Sequence, residues 1–450
     1  MPFCIAGTRR ASSKPQSFID FFRFFFTAQL CKQIQAVFRP YHVIRWHPQP
    51  LLFVLLSMTW CCGDSQAERF ETAKAFYTAC YQRKKRPGKT VVGLQKALAR
   101  LPASLLRQVA TLLRGRLAQV FAAQLTVDGF VPFGCDGSSL ACPRTAELQQ
   151  RLCNTYQAPR LFVSALVHLS TGLLWSWRLG NGAKASERSH LRHLLTTLPP
   201  SALLVADAGY PGYELLQTLV QKNIAFLMRL SSTAPLYACE RVAMTRFRDE
   251  QVYYWPQEAQ EKERAPVVVR LLRITGKKGD VWLITNVLDH EKLSRKTASK
   301  FYRWRWRNEG FFRSYKRTLG KVKLLSQTVE LVHREAEGSL LAVQLLLAQG
   351  SLALQKEGEA TIVVPSVRKV LLVMREEIRN VTGMYLGPRQ RKTYWQRLEA
   401  AREKQRKRRK PNQIRQEWPS RREHVPPKAP KIRRMGTDLK DLLKKTLATQ

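Results

Sequence analysis

The chain has 450 residues, with 76 lysines and arginines against 33 aspartates and glutamates, for a formal net charge of +43. A cation excess of this size argues for a polyanionic partner, nucleic acid ahead of an anionic membrane surface. A hydrophobic share of 44% marks a globular protein with a core to bury, and nine irregularly spaced cysteines without a CxxC pair argue against a structural zinc site or a disulfide framework and for reduced thiols in a cytoplasm.

The first 120 or so residues read as helices. SFIDFFRFFFTAQLCKQIQAVF, ERFETAKAFYTACYQRK and GLQKALARLPASLLRQVATLLRGRLAQVFAAQ carry apolar residues at helical spacing. Leu51–Cys62, LLFVLLSMTWCC, is shorter than the roughly 20 apolar residues a bilayer needs, and it predicts a buried helix rather than a membrane span. Lys84, Lys85, Arg86 and Lys89 form a basic loop that no apolar pattern explains.

From Gly129 the period changes. FVPFGCDG, RLFVSALVHLS and LLWSWRLG are short β-branched and aromatic runs that predict strands. SERSHLRHLLTTLP predicts an amphipathic helix capped by Ser186, and ALLVADAGY a strand buried on both faces. GYELLQTLVQKN predicts a helix and IAFLMRL a further strand, so the domain is mixed α/β. Strand signals recur in QVYYW, PVVVRLLRIT and DVWLITNVL, a long helix is predicted over 292–321, and GSLLAVQLLLAQGSLAL predicts a core helix. Arg402–Arg434 holds fourteen lysines and arginines against three acids, with five prolines, and is expected to be poorly ordered alone.

Asp136 and Asp207 each follow an apolar strand and precede a glycine or a small residue and a glycine. Two such carboxylates on neighbouring strands suit a divalent cation held by hard oxygen ligands. Either one alone reads as readily as a turn aspartate. Asp128 also precedes a glycine, eight residues earlier, but it comes before its strand rather than after it. A third carboxylate, Glu309, stands in YRWRWRNEGFFRSYK with five cations around it. On an ideal helix Tyr302, Arg305, Glu309 and Lys316 fall within about 60° of one another, while Trp304, Phe311 and Tyr315 face the other way. A carboxylate flanked by cations suits phosphodiester chemistry. His190 and His193 precede Asp207 and read as surface or packing residues rather than ligands.

Tyr302, Arg305, Glu309 and Lys316 match Y-x2-R-x3-E-x6-K, and this region resembles the DDE transposases of the insertion-sequence-four family. Asp136 in CDGSS and Asp207 in DAGY resemble the two aspartates of that family, with separations of 71 and 102 residues along Asp136, Asp207 and Glu309. The resemblance covers roughly residues 129–349. It implies a ribonuclease-H-like catalytic domain over 126–230 and 291–386, interrupted by a β-rich insertion at 231–290. Outside its reach, apolar spacing predicts a helical N-terminal region over 1–125, expected from its basic loop to bind the DNA ends, and composition marks a basic tail over 387–450. The resemblance further implies that Asp136, Asp207 and Glu309 are catalytic and ligate two Mg2+ ions, for which Mn2+ can substitute. Tyr302, Arg305 and Lys316 would hold DNA, and Trp282 in VWLITN resembles a tryptophan that stacks beside a flipped base; its other reading is a sheet-core residue. The implied reaction is cleavage at terminal inverted repeats and strand transfer into target double-stranded DNA. It would be carried out as a homodimer in the bacterial cytoplasm, at the nucleoid and away from membranes. Two alternatives stand beside it: a non-mobile DNA-binding descendant of a transposase, and a ribonuclease-H-like nuclease without strand transfer.

Overall fold

The computed structural model describes residues 15, 17–39, 46–82, 86–102, 104–153, 158–181, 187–240, 242, 247, 249–276, 279–354, 364–383, 392–402 and 428–448. Lys84, Lys85 and Ser186 lie outside them. The chain divides into two compact units. A helical unit comprises Met1–Leu125, Asp136–Leu194 and Arg307–Lys404; a sheet unit comprises Thr126–Cys135, Leu195–Trp306 and Gln405–Gln450. Each is assembled from three separate stretches of chain.

The helical unit begins with α1 (Phe18–Phe25), α2 (Ala28–Phe38), α3 (Pro48–Trp60), α4 (Gln66–Cys80), α5 (Val91–Ala99), α6 (Leu105–Val120) and α7 (Ala122–Leu125). The start of α1 is written locally. Ser17 accepts from the Asp20 amide and Asp20 accepts from the Ser17 amide, while Phe18, Phe21, Phe22 and Phe25 recur at helical spacing and are buried. Helix α3 is apolar all round and buried nearly all round, as a core helix should be.

Strand β1 (Val131–Ala141) runs from the sheet unit into the helical unit, which then adds α8 (Ala146–Leu152), the antiparallel pair β2 (Arg160–His168) and β3 (Leu174–Asn181), and α9 (Glu187–Leu194). The sheet unit continues with β4 (Ala202–Ala206), α10 (Tyr213–Gln221), β5 (Ala225–Arg229), β6 (Leu236–Ala238), β7 (Asp249–Tyr254), α11 (Gln257–Glu261), β8 (Val267–Ile274), β9 (Val281–Thr285) and α12 (Arg295–Trp304). The chain then forms α13 (Trp306–Arg313), a π-helical turn at Ser314–Thr318, α14 (Val329–Leu354), α15 (Val367–Val381), α16 (Tyr394–Glu399), β10 (Ile432–Arg434) and α17 (Thr437–Ala448).

Helix α14 organises the helical unit. Among the described residues it is the one helix long and apolar enough to cross a membrane, yet 94% of its most apolar window is buried inside the protein. It packs against α3, α5, α6, α15, α16 and β3. Gly338 lets α3 approach: a Cβ there would come within 2.8 Å of Leu55 Cγ. Some of the polar groups it buries are paired: Gln344 donates to the Leu174 carbonyl at 3.0 Å and Ser339 meets the Tyr315 hydroxyl at 2.6 Å.

In the sheet unit the strand order is β10-β6-β7-β8-β9-β5-β4-β1. Pairs β1–β4, β4–β5 and β6–β10 are parallel, and the others are antiparallel. The strands expected between residues 231 and 290 are all present and extend this sheet from β5 outward. Arg270 on β8 is 2% exposed and fully engaged. It meets both Asp249 carboxylate oxygens at 2.7 and 2.8 Å and donates to the carbonyls of Val287, Asp289 and Leu293. That clamp fixes the loop leading into α12, whose first turn is capped by Ser294.

Two expectations are corrected. The helix predicted over 292–321 begins at Arg295, breaks at Arg305, whose amide bonds back three residues to the Tyr302 carbonyl instead of four, and widens to π geometry at Ser314. Strand β1 does not stop before Asp136 but passes through it to Ala141. Of the basic stretch over 402–434, only residues 402 and 428–434 are described, and Ile432–Arg434 form β10.

Glu337 on α14 is 3% exposed, with Arg107 Nε at 3.3 Å. Burial pushes its carboxyl up to about 7, against the opposing pull of Arg107 and Arg334. A carboxyl with a folded pKa above its unfolded value binds extra proton in the native state. Its contribution therefore favours folding below about 4.5 and is lost as pH rises towards about 7. Urea unfolding across that window should show Glu337→Gln losing on the order of 3 kcal/mol less stability than the parent. Parallel pH profiles for the two proteins would contradict this.

Candidate active site

Asp207 ends β4, whose five residues are all buried. Its own Oδ1 accepts the Ala208 amide at 2.9 Å and its carbonyl accepts the Tyr210 amide at 3.1 Å, so the chain turns immediately after the strand. The side chain is 42% exposed. Three groups of the same unit surround the carboxylate: the Tyr302 hydroxyl at 3.4 Å, Arg229 Nη1 at 3.7 Å and Arg305 Nη1 at 3.8 Å. The phenol makes a long hydrogen bond, and the two guanidiniums are ion pairs beyond hydrogen-bond range. Burial raises the Tyr302 pKa, and the Asp207 charge adds to it, so the phenol keeps its proton and donates.

Arg305 is only 7% exposed along its side chain. Its guanidinium lies 5.6 Å from the Tyr302 ring centroid and 5.0 Å from that of Trp306. Trp306 itself is 60% exposed, a large flat ring held beside a cation at the edge of the sheet unit. Sequence reasoning passed over it in favour of Trp282. That residue is 4% exposed on β9, with the Phe247 ring 5.4 Å away, which suits its sheet-core reading.

Asp136 and Glu309 fall in the helical unit. Asp136 Oδ1 accepts the Gly137 amide at 2.9 Å. A Cβ on Gly137 would lie 2.6 Å from Glu187 Oε1 and 2.6 Å from Phe162 Cζ, so glycine is required for that approach, and it brings a carboxylate that the sequence did not single out. Its only sequence signal is an acid in the first turn of α9. Glu309 is half-buried on α13, and beside Gly310 the space is open. Arg307 anchors the start of that helix by donating to the Leu169 and Ser170 carbonyls. Lys316 lies on the π turn, where burial and then repulsion from Arg160 lower its pKa.

The four signature residues thus divide: Tyr302 and Arg305 lie with Asp207 in the sheet unit, Glu309 and Lys316 with Asp136 in the helical unit. One ideal helical stripe does not describe them. Among the described residues, no three histidine, cysteine, aspartate or glutamate side chains stand together as a ready metal site.

Asp128 sits at φ 49° in a tight turn with Gly129 at 79°, closed by mutual hydrogen bonds between Val127 and Phe130. Its carboxylate accepts from Lys300 Nζ at 3.1 Å and Thr297 Oγ1 at 3.2 Å, tying the turn to α12. His190 is buried, 3.0 Å from Ser164 Oγ, and His193 is exposed, as a packing and a surface residue should be.

Residues 135–345 match the family model described as a transposase DDE domain. No curated protein matches the chain. Among solved structures, a piggyBac transposase synaptic complex with hairpin DNA is similar at 10% identity and a TM-score of 0.42, over 84% of this chain and 82% of that one.

The Tyr302–Asp207 contact is testable without any substrate. Asp207→Asn removes the negative charge that opposes phenolate formation while leaving the burial in place. The Tyr302 pKa, followed by site-assigned NMR titration, should fall relative to the parent. An unchanged value would mean the two groups do not meet in solution.

Proposed function

We propose that this chain, a DDE transposase by the domain it carries between residues 135 and 345, moves an insertion sequence of the insertion-sequence-four type by cut-and-paste. Cleavage falls at the element's terminal inverted repeats and strand transfer follows into target double-stranded DNA, with two copies of the chain acting together in a cytoplasm. The observation that carries this reading is Asp207: a strand-end carboxylate, inside the matched domain, cradled by a phenol and two guanidiniums.

A divalent metal fits this residue. Asp207 offers hard oxygens at an accessible strand end, and its flanking arginines compensate the negative charge that a metal-binding carboxylate brings. Asp136 and Glu309 complete the proposed donor set, for two Mg2+ ions that Mn2+ can replace. When bound, such ions supply a nucleophile at neutral pH and stabilise the departing oxygen.

The remaining work belongs to the protein. Arg305 and Arg229 are placed to hold phosphate oxygens beside Asp207, and Tyr302 donates a hydrogen bond there. Lys316, close enough to Arg160 to feel its charge, contributes a second cationic grip. The exposed Trp306 ring offers a surface on which an unpaired base could stack, whereas Trp282 could serve only if its packing against Phe247 were undone. The succession of β1, β2, β3, α9, β4, α10 and β5, with β1, β4 and β5 parallel, supports the ribonuclease-H-like reading. The strands from 236 to 285 are then its β-rich insertion.

Glu309→Gln separates metal holding from DNA holding. The variant should bind terminal-repeat DNA at least as tightly as the parent, because a negative charge near phosphates is gone, and should not nick it. Arg305→Ala should weaken binding and lower the salt slope by about one contact while keeping some cleavage at high enzyme concentration. A Glu309→Gln enzyme that still cuts in Mg2+ would end the proposed mechanism.

The helical region before residue 126 is the proposed reader of the transposon end, because specific recognition needs a positively charged module placed on the duplex. A chain lacking residues 1–125 should lose its preference for terminal repeats over unrelated duplex. Equal affinity and equal selectivity without that region would assign end recognition elsewhere.

A further inference from the structure

The ordered end of the chain, Lys428–Thr446, carries seven lysines and arginines against two aspartates. It is fixed to the sheet unit and is not a loose polycation. Ile432, Arg433 and Arg434 of β10 pair in parallel with Leu236, Tyr237 and Ala238 of β6, at the outer edge of the sheet. The Met435 amide donates to the Ala238 carbonyl at 2.9 Å, and Met435 and Leu443 are 3% and 6% exposed. Arg433 lies over the Tyr237 ring at 5.9 Å, and Lys445 meets Glu263 at 2.7 Å.

On that frame Lys428, Lys431, Arg433, Arg434 and Lys444 are all exposed. Charge on an edge strand discourages edge-to-edge pairing between copies. That need does not extend to a helix, yet α17 adds Lys444 with its side chain 82% exposed. Between Lys428 and Thr446 the cations are five lysines, which act as flexible point charges, and two arginines. Cations of this kind displace counterions from phosphate backbones regardless of sequence.

We propose that the β10–α17 terminus is a sequence-independent contact for the phosphate backbone of double-stranded DNA, separate from the Asp207 site. The proposal rests on the transposase reading and adds a second place where the same polymer is held. The cations on β10 lie on both faces of the strand, since neighbouring residues alternate, so one duplex engages only part of the set.

The test uses the full-length chain with Lys431→Ala, Arg434→Ala and Lys444→Ala combined, none of which removes a buried side chain. Binding is measured across salt for two duplexes, one with the terminal inverted repeats flanking its gene and one unrelated. The slope of log affinity against log salt should fall by about one to three on both duplexes, with the thermal unfolding temperature unchanged. Lys431→Arg with Lys444→Arg should keep the parental slope. An unchanged slope in the triple variant overturns the proposal, as does a loss confined to the terminal repeats or one accompanied by a lower unfolding temperature. Terminal-repeat nicking at low salt should persist in the triple variant. If the unmodified chain neither binds nor nicks that DNA, the transposase reading is what fails.

Discussion

The sheet unit depends on the parallel ladder between β1 and β4. Its register runs from Val131 with Ala202 to Gly134 with Val205, and both runs are buried on both faces, so water cannot satisfy their backbone groups and the ladder itself must pair them. Strand β4 then runs directly into Asp207, whose side chain reaches solvent. The burial that stabilises the strand therefore also decides where that carboxylate stands.

The electrostatics around Asp207 follow from the same economy. A carboxylate half out of water at a strand end tolerates its charge because Arg229 and Arg305 are near, and Arg305 tolerates its own burial because Tyr302 and Trp306 lie over it. Arg270 solves the opposite problem: fully buried, it is held by a carboxylate and three carbonyls and thereby fixes the entry to α12. The cations of this chain thus meet two needs, fixing a loop where every donor is engaged, as at Arg270, and offsetting a carboxylate's charge, as at Arg229 and Arg305.

Much of the fold was legible because local patterns carried it. Ser17 with Asp20, and the spaced phenylalanines after them, define α1 without reference to anything distant. The apolar run ending in Asp207 reads as a buried strand and is one. Asp128 precedes its strand in the sequence, and the structure places it in a tight turn at positive φ in contact with Lys300. Trp282 and Trp306 were not separable in this way, because an indole on a strand and an indole on a helix look equally apolar in sequence. Burial against Phe247 and exposure beside Arg305 distinguish them.

By itself the sequence determined the secondary elements with strong periodicity, the order of the three carboxylates and the Tyr-Arg-Glu-Lys spacing, since each depends on residues close together in the chain. Tertiary structure alone decided the break of the signature helix at Arg305, the π turn under Lys316, the nearness of Glu187 to Gly137 and the docking of β10 beside β6. An ideal helix is the default when only neighbours three and four residues away are counted. Contacts with residues over a hundred positions distant, such as those of Arg307 with the Leu169 and Ser170 carbonyls, leave no mark among those near neighbours.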